Sequence, residues 1–220
     1  RSAGAAALRG AVLTGAALVL AAPRLLRARP AEGPGFALPR GLVLLFAVLA
    51  AISFLVEGAI LDWGALLMID RGLAPVETAG LGYMLFSVAM VAGRLTGDRI
   101  VGRFGQRRVM VWSGTGTVAG LAVLILAPGT AVALAGFALI GLGAANVVPI
   151  VFSLAGAQRT MPPGLAIAAV TTTGYAGVLL GPAAVGFVAQ ATSLPLAFWG
   201  LAALMAVVPL AAGRATGGGR

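Results

Sequence analysis

The chain has 220 residues, 60% of them apolar and only 10% charged, with a mean hydropathy of +1.04 and a net charge of +9. A water-soluble domain carries roughly 25% charged residues, so this chain lacks the polar surface to face water all round, and its solvent is a bilayer. There is no Cys and no His, which excludes disulfides, thiolate metal sites, His proton relays and Ser-His catalysis within the chain. No catalytic residue, metal ligand or cofactor motif is expected, and the chain does not read as an enzyme.

A bilayer core of about 30 Å needs about 20 helical residues per crossing. In chain order, residues 8–26 form a first apolar run, uninterrupted only from Gly10 to Ala22 and flanked by Arg9 and Arg24. It reads as the last helix of a preceding bundle (1–26), and the lack of an initiator Met suits a chain that starts inside a longer protein. Residues 27–40 are rich in Pro and Gly without periodicity and mark a linker. Six stronger spans follow at 41–67, 78–97, 109–127, 131–156, 164–189 and 195–212, forming a six-helix bundle over 41–212 with a flexible tail at 213–220. Pro128-Gly129 and Pro162-Pro163-Gly164 separate spans, and Pro195 sits near the start of the last one. The fold class is all-α, a polytopic transmembrane bundle.

All fifteen cations are Arg. They fall in alternate connections: Arg24, Arg27, Arg29 and Arg40 in one, Arg99, Arg103, Arg107 and Arg108 in another, then Arg159, then Arg214 and Arg220. The opposite connections hold only Arg71. The positive-inside rule makes the Arg-rich side cytoplasmic. A nucleic-acid surface would gather this charge on one folded face, so no nucleic acid is expected as a partner. Arg without Lys suits a GC-rich bacterial genome, hence a bacterial cytoplasmic (inner) membrane. Trp63, Trp112 and Trp199 all fall near span ends, where an interfacial aromatic belt lies.

Between the second and third strong spans the chain reads Gly93-Arg-Leu-Thr-Gly-Asp98-Arg99-Ile-Val-Gly-Arg103-Phe-Gly105-Gln-Arg107-Arg108. This resembles the signature loop of the major facilitator superfamily, a Gly followed by Asp-Arg, a further Gly and two basic residues. The spacing departs from the family's: Asp98 stands seven residues before Gly105 and five after Gly93. Gly181-Pro182 and Asn146-Val-Val-Pro149, which breaks the fourth strong span, are weaker echoes. The resemblance implies the C-terminal half of a transporter, with the linker as its central cytoplasmic connection and an N-terminal half as partner. It also implies that Asp98 belongs to a cytoplasmic gate, where a carboxylate at a helix end accepts hydrogen bonds or pairs with Arg in one conformer only.

Glu57 lies about 25 Å along its helix from Arg40, in the outer part of the hydrocarbon core. A carboxylate at that depth is costly unless it is paired, protonated or in a hydrated cavity, which makes it a functional candidate. Asp62, five residues on, turns about 140° away and does not pair with it. Thr171, Thr172 and Tyr175 come near the midplane of the fifth strong span, where secondary transporters hold solute, although Thr hydroxyls also bond to their own helix carbonyls. Asn146 completes the candidate cavity set. The resulting expectation is a secondary active transporter of a small solute working by alternating access, with protons as the candidate coupling ion. A non-transporting scaffold or sensor on the same fold is the alternative.

The absence of native Cys gives the topology a clean test. A single Cys placed at residue 103 should react with impermeant maleimide only in inside-out vesicles or opened cells. Labelling from outside sealed cells would reverse the orientation.

Overall fold

The computed structural model describes residues 15–16 and 38–217, and the chain divides into two units, 1–34 and 35–220. The expected helix at 8–26 lies outside the described residues save for 15–16, as does the linker up to residue 37. Among the described residues of the second unit, eight helices follow one another: α1 (Leu42–Asp70), α2 (Leu81–Phe104), α3 (Gln106–Leu126), α4 (Thr130–Ala144), α5 (Val147–Ala157), α6 (Pro163–Ala191), α7 (Leu194–Met205) and α8 (Val207–Gly217). No strand occurs among the described residues.

Two of the six expected spans are each built from two helical pieces. α4 and α5 form one apolar stretch, Thr130–Ala157, interrupted at Ala145-Asn146. Pro149 has no N–H to return to the Ala145 carbonyl, so the helix restarts there with Ile150 N–H bonded to Asn146 O at 3.2 Å. α7 and α8 form Leu194–Gly217, interrupted at Ala206, where Pro209 withholds the bond to Met205. This last span runs five residues beyond the sequence expectation of 212, into the segment read as tail. Among the described residues, five stretches are long and apolar enough to cross a membrane. α2 is as long but more polar, because Arg94, Asp98, Arg99 and Arg103 occupy its C-terminal half.

The sequence places 98–108 in a connecting loop, whereas α2 is helical through Phe104 and α3 begins at Gln106. The whole reversal falls on Gly105, whose φ of 80° lies in the left-handed region that suits Gly. Its N–H closes α2 on Val101 O at 2.8 Å. At the other turn on this side, the Gln158 side chain holds the 158–161 corner. Its carbonyl accepts from Met161 N–H at 3.1 Å and its amide donates to Met161 O at 2.7 Å.

Helices in lipid gain little from burying apolar surface against one another, so close backbone approach through small residues carries their association. Two packed groups result. In the first, α1 lies against α6, with Gly177 over the Ala51 carbonyl, Gly174 under the Phe54 ring and Gly181 beside Leu55. In the second, α4 packs against both α2 and α3. A Cβ at Gly136 would stand 2.8 Å from Leu124 N, one at Gly120 2.7 Å from Ile140 N, and one at Gly141 would collide with the Phe86 carbonyl oxygen. Phe137, fully buried, wedges between the groups against Gly64 of α1 and Gly82 of α2.

Gly141→Ala should force α2 and α4 apart, because the obstacle is backbone rather than a movable side chain. We expect a loss of about 1–3 kcal/mol, read as an earlier unfolding transition of the purified protein. Gly102→Ala is the control: nothing lies within 4 Å of its would-be Cβ, so Ala should be neutral or gain up to about 1 kcal/mol of helix propensity.

Candidate functional site

Glu57 stands fifteen residues into α1, and a depth of about 22 Å from that helix's inner end follows at 1.5 Å per residue. It does not stand alone. Arg94 of α2 reaches it, with Nη2 at 3.5 Å from Oε2, and Ser53 Oγ, one turn earlier on α1, donates to Oε1 at 3.4 Å. This is the only ion pair among the described residues. The pair is asymmetric: the Arg94 side chain is 44% exposed, that of Glu57 17%. The carboxylate is the more buried member of the pair, with Ser53 on one oxygen and the more exposed guanidinium on the other.

Sequence reasoning gave Arg94 no role of its own, only a place in the motif that begins at Gly93. Its depth was nevertheless readable once α2 is known to end at Phe104, since ten residues put Arg94 about 15 Å inside the helix end. A cation at that depth needs a counter-charge, and Glu57 supplies it. The arrangement can bind an anion at the guanidinium and hold or release a proton at the carboxylate.

Tyr175 joins the neighbourhood from α6. Its ring stacks on Phe54 of α1, with centroids 5.6 Å apart and planes inclined by 17°, and Phe54 is one turn inward of Glu57. Tyr175 remains 58% exposed. The two threonines contribute less: Thr171 Oγ1 donates to Ile167 O of its own helix at 2.8 Å, and Thr172 is exposed one residue on.

Asn146 lies elsewhere. It is buried at the break between α4 and α5, where Nδ2 donates to Gly93 O at 3.5 Å and Oδ1 rests against Gly97. Gly93 and Gly97, one turn apart on α2, form the notch that receives Ala145 and Asn146. The structure therefore puts Asn146 and Gly93 in a helix joint between α2 and the α4–α5 break. Trp63 is also at a joint rather than in an exposed belt: its Nε1 donates to Pro182 O at 3.1 Å and its ring covers Gly186. Trp112 and Trp199 are exposed.

At the Arg-rich end, Asp98, Arg99 and Arg103 are exposed along the last turns of α2, and Asp98 has no ion-pair partner among the described residues. Arg103 lies over the Phe104 ring at 5.4 Å, and Phe104 meets Trp112 edge-on at 5.0 Å. Arg107 and Arg108 line a cavity of about 570 Å³ with Phe104, Gly213 and Thr216. At the opposite end, Arg71 Nη2 donates to Ala127 O at 3.2 Å and Thr130 Oγ1 donates to Leu73 O, tying the end of α1 to the α3–α4 turn.

Long apolar helices, glycine-mediated joints and an intramembrane ion pair together define a multi-pass membrane protein. Residues 63–215 match the model of the Major Facilitator Superfamily, and the chain belongs to that family. It is similar to an uncharacterized MFS-type transporter of Yersinia pestis, 46% identical over 187 residues, which cover 84% of this chain and 48% of the relative. It is 36% identical over 169 residues to the membrane protein MosC of Rhizobium meliloti, covering 77% of this chain and 42% of the relative. Among solved structures it resembles the peptide transporter POT in complex with sulfate. That match has a TM-score of 0.66 at 25% identity, over 84% of this chain and 40% of the other. The chain thus spans about half the length of the curated relatives it matches.

Proposed function

We propose that this chain is the C-terminal half of a secondary active transporter of the bacterial cytoplasmic membrane. In this reading it moves a small solute by alternating access against an N-terminal half. Proton coupling runs through Glu57, and the Glu57–Arg94 pair is the observation that carries it. A carboxylate that shares its charge with one exposed cation has two states of nearly balanced cost, paired and ionised or released and protonated, and conformational change selects between them. The groups that face Glu57 are Arg94 from α2 and Ser53 from its own helix. Membership of a transporter family and likeness to a transporter structure favour this reading over a scaffold or sensor, which needs neither charge at that depth.

The inner end of α2 supplies the second element. Asp98 has no ion-pair partner among the described residues, so in the gate reading its partner lies across the interface, on the N-terminal half, and the contact forms only when the cytoplasmic side closes.

Two substitutions in the full-length protein test these roles separately. Glu57→Gln keeps size and hydrogen bonding but cannot exchange a proton, so it should abolish uphill transport driven by a pH gradient while solute exchange persists. Gradient-driven transport at the wild-type level would remove the coupling role. Asp98→Asn should insert normally and lower transport by shifting the conformer balance about 1–3 kcal/mol, seen as altered accessibility of single Cys probes on the two sides. Unchanged transport and accessibility at equal expression would leave Asp98 and its arginines as topology and lipid-headgroup residues.

A further inference from the structure

We propose that Arg94 is the docking point for a single carboxylate on the transported solute, and that Glu57 is the resident counter-ion which this carboxylate displaces. The proposal rests on the transporter reading above and adds the chemical class of the solute.

The geometry of the pair is that of an exchangeable contact. Charge-assisted N–H···O bonds close to about 2.7–2.9 Å when they are tight, and a guanidinium offers five N–H donors in a planar fork. Here Nη2 alone approaches Glu57, at 3.5 Å. A carboxylate arriving from the open side meets Arg94 before it meets Glu57, because the guanidinium side chain is 44% exposed and the glutamate 17%. It can engage two donors at once, which Glu57 from its recessed position does not.

Charge arithmetic selects a monoanion. Arg94 lies thirteen residues from one end of α2 and ten from the other, and among the described residues no second cation shares that depth. One-for-one replacement of the glutamate carboxylate by a solute carboxylate keeps the core neutral, whereas a dianion leaves an uncompensated charge in low dielectric. Displaced Glu57 keeps its Ser53 contact and becomes the group that takes up a proton, so each solute bound is matched to one proton. The surroundings describe the rest of the solute. Val91 and Leu95 flank Arg94 on the exposed face of α2, and the stacked Phe54–Tyr175 rings form a flat apolar wall one turn inward of Glu57. A small carboxylic acid with an apolar or ring body fits this lining.

The test uses acetate as a generic carboxylate and purified full-length protein, with thermal unfolding as the readout and chloride at matched ionic strength as reference. Glu57→Gln leaves Arg94 without its counter-ion, so acetate should raise its Tm, while acetamide should not. In wild type the same shift should require about tenfold more acetate or higher, since Glu57 competes for the site. The charge-neutral double variant, Glu57→Gln with Arg94→Gln, removes both charges together, which guards against misfolding from one orphaned ion, and its acetate response should vanish. The proposal is overturned by any of three results: no acetate-specific shift in Glu57→Gln, a shift that survives in the double variant, or equal acetate sensitivity in wild type and Glu57→Gln. No proton gradient enters this measurement. Failure of proton coupling in the transport assay and failure of carboxylate docking here are therefore read independently.

Discussion

Backbone contact through glycine is the constraint on which this bundle depends. In water, burying side chains would drive the helices together; in lipid the tails are as apolar as the side chains, and adhesion has to come from close packing over long stretches. The chain meets this by putting glycines where helices cross, so that Ala51 O, Phe86 O and Ile140 N each approach a neighbour that has no Cβ. The buried Phe137 ring fills the space between Gly64 and Gly82, so a large side chain and two absent ones form one fitted unit. Such joints tolerate little change in volume, and they divide the bundle into rigid groups rather than a uniformly soft one.

The Glu57–Arg94 pair crosses the seam between those groups. α1 packs chiefly with α6, and α2 packs chiefly with α4, so the two charged residues belong to different packed assemblies. An ion pair placed across a seam responds to small relative displacements, whereas one inside a rigid joint would not. At the outer end the same seam is crossed by Arg71 on the Ala127 carbonyl and by Thr130 on the Leu73 carbonyl. The bundle is thus tied at its outer end and charged in its middle.

Much of the architecture was legible in the sequence, because bilayer thickness sets span length and arginine asymmetry sets the alternation of loops. Five of the six expected spans among the described residues, the break before Pro149 and the family itself followed from those patterns and one short motif. The misreadings share a cause: apolarity marks where a helix crosses but not how far it continues past the membrane surface. α2 runs on as helix through residues that read as a loop, and this hid the depth of Arg94 and hence the partner of Glu57. The packing partners of Asn146 and Trp63 were hidden for a related reason. A polar group on an apolar helix can face a cavity, a headgroup or another helix's carbonyl, and only three-dimensional neighbours decide which. Gly93 O and Pro182 O decided it here.

The Trp63–Pro182 contact carries an optical consequence. Proline at 182 is retained inside α6, and its carbonyl receives the indole N–H of Trp63 from α1, with the ring lying over Gly186. Trp112 and Trp199 are instead exposed on the surface of the bundle. Indole emission depends on hydrogen bonding and local polarity, so the chain contains one fluorophore embedded in the α1–α6 joint and two at its surface. Replacing the two surface tryptophans with phenylalanine leaves a built-in reporter whose colour and quenching follow that single joint, with no dye attached.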